Sequence, residues 1–473
     1  MSIMRSRPVR WVLRAIGGCL VLLLLAAGGL LAINFHDEAL LPAAAAIIEG
    51  KTVVPVAPEQ NLFFTFIGLS STEGDEPNAE GRRIFALYQQ ALGRLAADPS
   101  QRLNPDRSDF YALAKVREFH YSPELIQLCN QNPEVGAFHC IADAASRRSL
   151  WEKILADNRG RLERFQQVSG EPQYLNVLTP VLAAPTIRYF ALTTAKRLQV
   201  TSWALQLDSG GQDQVIGALA ADLGFWRAFV ALRNPPLIEK SIAASQVRAD
   251  LYFMSELLRI RQLTPGQYDA LGASLHPSTV AERSVAGALD AELRWSAAIL
   301  LRQSSENGPR YWFCSAFSAE HRFLNALSCA GFLRNATINR MYRNYHELAQ
   351  LSEQSCEHFD SGYAMAREHL RRSPTDYLYN PTGTWEVSPG SASLDDYSAK
   401  FCNLEGMQRI VALQLAIRRN NLADAQIPAF LERAGADYAD PFTGKPMQWD
   451  AQDRSLAFRT RPLQEGQLVR WSI

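Results

Sequence analysis

The 473-residue chain carries 48 basic and 48 acidic residues, so its formal net charge is zero. That balance removes the electrostatic case for nucleic acid, which needs a surplus of Lys and Arg on one face. With 47% hydrophobic residues and ordinary Gly and Pro usage, the composition also excludes general disorder and leaves material for a large core. Length suggests two or three domains, although a helical array can run this long as one unit.

In chain order, the first element is apolar. Ala15 to Ile33 contains no charged residue, and as a helix it would reach about 28 Å, close to the hydrocarbon thickness of a bilayer. Arg5, Arg7, Arg10 and Arg14 precede it without an acid, while Asp37 and Glu38 follow it. The positive-inside bias predicts a cytoplasmic N-terminus over 1–14, a transmembrane anchor over 15–35, and a body exported to the periplasm of a bacterial inner membrane. A cleaved signal peptide would have a shorter apolar core and a small-x-small exit, which Leu31-Ala32-Ile33-Asn34-Phe35 does not offer. Ile16-Gly17-Gly18-Cys19 loosely resembles a lipobox, but Leu20 to Leu25 lie after the cysteine instead of before it.

Beyond Cys19 there are six cysteines, Cys129, Cys140, Cys314, Cys329, Cys356 and Cys402. An even number on the exported side predicts a disulfide framework. Many connectivities are open; nearness in sequence favours Cys129–Cys140, Cys314–Cys329 and Cys356–Cys402. A bond closing a short loop contributes about 3 kcal/mol in the chain-entropy picture. Their spacings are not those of close zinc-ligand pairs.

Residues 36–78 read as a tether ending in the apolar patch Leu62-Phe63-Phe64-Thr65-Phe66-Ile67, expected to dock onto the body. A helical periplasmic domain is expected over 79–372. Ser122-Pro123, Asn234-Pro235 and Thr264-Pro265 place an N-cap before a proline, and Thr264-x-x-Gln267, Thr279-x-x-Glu282 and Ser393-x-x-Asp396 have capping-box spacing. Val215, Leu219, Leu223, Trp226 and Val230 recur with helical period, as do Val247, Leu251, Met254 and Leu258, and Val285, Leu289 and Leu293. No repeat period is present. Residues 373–391 read as a Pro/Gly/aromatic loop, with Tyr377, Tyr379 and Trp385 as candidate binding residues or as packing for the loop itself. Over 392–473 a helix, Cys402 to Asn420, leads to a hairpin of Met447-Gln448-Trp449 with Ser455-Leu456-Ala457-Phe458-Arg459. The expected fold is all-α: an irregular antiparallel helical array, bundle-like or solenoid-like, with one N-terminal transmembrane helix and a small C-terminal β-hairpin.

The tail from Cys402 to Ile473, with a Pro near the start of its short second helix and then Asp440-Pro441-Phe442-Thr443-Gly444-Lys445-Pro446 before the hairpin, resembles the tail of type II secretion major pseudopilins. The N-terminus departs from that family, since Gly17-Gly18-Cys19-Leu20-Val21 lacks the aromatic and the Glu of its processing signal. Asn61-Leu62-Phe63-Phe64 with Gly68-Leu69 and Asp75-Glu76-Pro77 is similar to the opening of uncharacterised single-pass inner-membrane proteins of proteobacteria. That resemblance implies an address and no activity.

Signatures of chemistry are sparse. The sequence has no phosphate-binding loop, no nucleophile elbow, no dinucleotide fingerprint and no His-Glu-x-x-His, so no cofactor is expected. His346, Glu347, Glu353, His358, Asp360, Glu368 and His369 cluster in sequence. On one straight helix Glu347, His358 and His369 would share a face at steps of about 16 Å, too far apart for one metal. A break at Asp360-Ser361-Gly362 would make His358 and His369 candidate metal ligands. His120 and His139 near Cys140 could suggest a Cys/His pair, but a bridged cysteine is inert. Asp290 and Glu292 face different sides of their helix and cannot cooperate as acid and base. The expected role is binding or scaffolding, with the membrane and an envelope protein as partners. A hydrolase with a site assembled from distant residues, or a glycan or lipid binder, are the alternatives.

Overall fold

The structure, a computed structural model, describes residues 7–50, 53–72, 76–97, 122–129, 138–168, 170–178, 187–233, 235–306, 332–369, 373–461 and 468–473. Seventeen α-helices are present among them: α1 (Arg7–Ile33), α2 (Pro42–Ile48), α3 (Leu62–Gly68), α4 (Pro77–Ala97), α5 (Pro123–Gln127), α6 (Cys140–Asp157), α7 (Arg159–Gln166), α8 (Tyr189–Asp208), α9 (Gln212–Val230), α10 (Leu237–Ile260), α11 (Pro265–Ser274), α12 (Val280–Arg283), α13 (Ala286–Glu306), α14 (Arg334–Ser352), α15 (Phe359–His369), α16 (Pro381–Arg419) and α17 (Ile427–Arg433). Strands β1 (Gln448–Asp450), β2 (Ser455–Arg459) and β3 (Leu468–Ser472) follow. The fold is therefore mainly helical, and the expected hairpin is completed by a third strand. All pairings are antiparallel with β2 in the middle, Trp449 opposite Leu456 and Leu456 opposite Trp471.

The chain divides into two compact units. The first comprises Met1–Thr52, Leu293–Glu347 and Ala366–Ser393; the second comprises Val53–Glu292, Leu348–Met365 and Leu394–Ile473.

In the first unit α1 is long and apolar enough to cross a membrane over Trp11–Ile33, and none of its described side chains is buried. The core is a seam of Leu293, Ala297 and Leu300 from α13 against Ile338 and Met341 of α14 and Val387 of α16, with Leu40, Ile47 and Ile48 packed on it. The i, i+4, i+7 spacing on α13 is what places its three residues on one stripe.

Residues 36–78, read from sequence as a tether, hold two helices instead. Asp37 accepts the backbone N–H groups of Asn335 (2.7 Å) and Ala336 (3.0 Å), capping the start of α14. Asn339 donates to the carboxylate of Glu38 (2.6 Å) and the carbonyl of Ala39 (2.9 Å), and accepts from Leu41 (2.8 Å). A short polar sequence that looked unstructured is ordered by bonds to residues some 300 positions away.

In the second unit the apolar patch is α3, buried along its whole length. Asn61 caps it, accepting from Phe63 (3.1 Å), and Phe66 packs against Trp226 and Phe229 at ring separations of 6.4 and 5.7 Å. Gly68 and Gly81 allow α3 and α4 to touch backbone to backbone: a Cβ at Gly81 would collide with the carbonyl of Phe64. The stripes of α9 and α10 face inward as their period requires, Val215 to Val230 and Val247 to Leu258 all being buried. Capping boxes form at Thr264 and Thr279.

Cys129 is bonded to Cys140, Cα to Cα 4.9 Å, and Cys356 to Cys402, 5.8 Å. Cys314 and Cys329 lie outside the described residues, as does Asn234. The stretch 373–391 is not a long loop. Pro374–Tyr377 is a 3-10 turn boxed by Ser373 and Asp376, and α16 already begins at Pro381. Asn380 is its N-cap, accepting from Gly383 (3.3 Å), so Asn380-Pro381 is one more N-cap and proline pair. The helix runs through Pro389-Gly390 and contains Ser393, whose capping-box spacing therefore starts nothing.

Candidate functional site

The histidine cluster resolves into separate local bonds. The helix breaks between α14 and α15 at a 3-10 turn over Cys356–His358, and Asp360-Ser361-Gly362, where a break would have paired His358 with His369, lies inside α15. His369 of α15 lies against Glu347 of α14, Nδ1 to Oε1 3.0 Å. Asp360 receives the guanidinium of Arg461 at 3.0 Å, and His358 is exposed beside the bridged Cys356. Among the described residues no three His, Cys, Asp or Glu side chains are placed to hold a metal ion. His120 falls outside the described residues, and Cys140 beside His139 is bridged.

Three buried ionic clusters were not singled out by sequence. Lys196 of α8 binds both Asp222 of α9 and Asp250 of α10 and lies 5.2 Å from the Trp203 ring centroid. Burial works against the ammonium, but the two carboxylates outweigh it and hold its pKa above the ordinary value. Burial raises the carboxyl of Asp250, and the neighbouring Asp222 adds to that rise. A signal was present: Asp250 stands between Val247 and Met254 on the apolar stripe, where a charge needs a buried partner.

In the second cluster Glu239, in the first turn of α10, accepts the phenol groups of Tyr174 (2.7 Å) and Tyr189 (2.5 Å). Burial pushes its carboxyl up to about 7 despite those two bonds. The nearby Glu292 is raised by burial too and accepts from the Leu237 N–H at 3.1 Å. A raised carboxyl binds its proton in the folded chain while the unfolded chain has released it. Stability from Glu239 is thus fully present below about 4.5 and falls as pH rises towards 7. Glu239→Gln keeps an oxygen for both phenols and removes that ionisation. Its urea midpoint should be flatter across this window than wild type, and the variant should gain about 3 kcal/mol at pH 8. An unchanged pH profile would show that Glu239 is not the buried acid.

The third cluster lines a cleft of about 100 Å3 between Phe138, His139, Tyr252, Glu256, Arg259 and Trp471. Phe138, Tyr252 and Trp471 stack in series at 5.9 and 5.0 Å. Glu256, pushed up to about 7 chiefly by burial, accepts the N–H groups of Ile141 (2.9 Å) and Ala142 (3.0 Å) at the start of α6. Its carboxylate is thereby committed to a helix end.

A different kind of site lies on the same unit. A groove of about 740 Å3 runs between α11 and α16, lined by Gly272, Ala273 and Leu275 on one side and by Ala412, Leu415 and Ala416 on the other. Asp269 and Arg419 pair across its rim at 2.7 Å, with Tyr438 beside them. Gly272 and Ala273 on one wall, and Ala412 and Ala416 one turn apart on the other, leave room for another backbone to come close above the buried Leu275 and Leu415. Of the loop candidates, Tyr377 and Trp385 are exposed and Tyr379 is half-buried. Burial and then the carboxylates of Glu38 and Asp37 hold the Tyr379 phenol above its ordinary pKa.

Comparison of the chain with protein-family models, with characterised proteins and with solved structures returns no match.

Proposed function

We propose that the protein is a single-pass component of a bacterial inner membrane, N-terminus cytoplasmic and body periplasmic, that binds or scaffolds a protein partner in an envelope assembly. The α11–α16 groove is the observation that carries this reading. Its small-residue walls and charged rim fit a partner helix that approaches closely through small side chains and carries a polar flank. Topology is supported by four arginines before the apolar stretch Ala15–Ile33, two acids after it, and two disulfides in the part of the chain that follows.

The test places a photo-crosslinking amino acid at Ala273 in native membranes, with exposed Leu150 on α6 as the control position. A discrete adduct at Ala273, absent at Leu150 and reduced at least several-fold by Ala416→Arg, is expected. Equal adducts at both positions, or none at Ala273, would remove the groove as the binding site.

A further inference from the structure

The residues that follow α1 are joined to a segment far away in sequence, and that junction carries an exposed apolar patch. Asn34, the first residue after α1, is buried. Its side-chain amide donates to the carbonyl of Leu30 in the last turn of α1 (2.8 Å) and to the carbonyl of Leu378 (2.8 Å), while its oxygen accepts the N–H of Asn380 (2.7 Å). Asn380 in turn accepts from Leu333 (2.7 Å) and donates to Thr337 (2.9 Å), so the join is fixed to α14 as well. Arg340 holds the same segment through Asp376 at 2.6 Å. All of these residues belong to the first unit.

Around this join, four aromatic or aliphatic side chains remain outside beside exposed polar residues such as Asp37 and Thr375. Phe35 is 77% exposed, Tyr377 46%, Leu378 51% and Trp385 65%. Leu378 is one hydrogen bond from the end of α1, and Trp385 is five residues into the helix that starts beside Asn380, a rise of about 8 Å. The headgroup layer of a bilayer is roughly 5–8 Å deep on each side. Trp and Tyr favour that layer because an apolar ring and a polar N–H or O–H are both satisfied there. Phe35 and Leu378 therefore lie beside the end of the apolar surface of α1.

We propose that Phe35, Tyr377, Leu378 and Trp385 form a collar that inserts into the headgroup layer of the bilayer crossed by α1. The collar rests on the membrane-anchor reading. The segment expected to bind a glycan or a partner is on this view a lipid contact, and it fixes the first unit against the bilayer by rigid polar bonds to the anchor. The α11–α16 groove is independent of it.

Depth-dependent fluorescence tests the collar. The full chain is placed in phosphatidylcholine nanodiscs containing lipid with a nitroxide either near the glycerol end of the acyl chain or near its terminal methyl. The difference between wild type and Trp385→Phe isolates Trp385. That difference should be quenched about twofold more by the shallow nitroxide than by the deep one. Leu378→Trp in the Trp385→Phe background should report the same shallow depth from a second position. A Trp385 signal untouched by either lipid and freely quenched by aqueous acrylamide, in a chain that resists carbonate extraction, would overturn the collar and leave the anchor standing. Shielding from acrylamide that appears only on adding soluble cell-wall glycan or an envelope protein fraction, without lipid quenching, would overturn it too. Release by carbonate, with Trp11 also unquenched, would instead remove the anchor beneath it.

Discussion

Lys196→Met is expected to destabilise the second unit by about 3–5 kcal/mol at neutral pH, because it leaves carboxylates of two helices buried without their cation. Methionine fills much of the same volume, so the loss is electrostatic more than steric. Lys196 is enclosed, as is Asp250, whose second oxygen Oδ2 has no hydrogen-bond partner. Removing the ammonium takes away the interaction that opposes the upward shift of Asp250. The carboxyl must then stay protonated or suffer burial as an anion. The penalty should accordingly shrink as the pH is lowered through the carboxylate range, since a neutral acid tolerates burial. Adding Asp250→Asn to Lys196→Met should recover part of the loss, and the double-mutant cycle measures the coupling. Urea titration followed by circular dichroism reads both effects. Additive losses in the cycle would mean that the short contacts across α8 and α10 contribute no interaction energy.

The second large effect is expected from Cys356 and Cys402. Their bond closes a loop with a sequence separation of 46 and ties the turn before α15 to the middle of α16. The chain-entropy relation gives about 4 kcal/mol for a loop of this length, against about 3 kcal/mol for the Cys129–Cys140 bond with its separation of 11. Reductant should lower the denaturation midpoint of wild type. A Cys356→Ala, Cys402→Ala chain should show the greater part of that loss before any reductant is added. If reductant lowers both proteins equally, this bond contributes little and the account of the second unit is wrong.

Much of the helical fold was legible because apolar stripes and caps are local. Val247, Leu251, Met254 and Leu258 need only their own spacing to declare a buried face, and Thr264 with Gln267 declares a helix start. The misread stretches have one cause. Asp37 and Glu38 are ordinary acids in sequence, and only the N–H groups of α14, some 300 residues on, turn the tether into a fixed strap. Pro389-Gly390 looked like a break, yet the Asn380 cap and the packing of Val387 into the seam carry α16 through it. The candidate groove was not legible because α11 and α16 contribute its walls from distant parts of the chain, and glycine and alanine carry no chemical signal of their own. The buried ionic clusters were partly legible. Asp250 breaks an apolar stripe and so announces a partner, but not which residue it is.

The proposed function requires a chain anchored by α1 with its body on the oxidising side. The most direct test is labelling of Leu150→Cys, an exposed position on α6, by a membrane-impermeant maleimide in cells whose outer membrane is opened and whose inner membrane is sealed. Native Cys19 lies within α1 and is the free cysteine among the described residues, so the unsubstituted chain supplies the background. Strong labelling of Leu150→Cys is expected before the inner membrane is lysed. Labelling that appears only after lysis would place the body in the cytoplasm and contradict the proposed function.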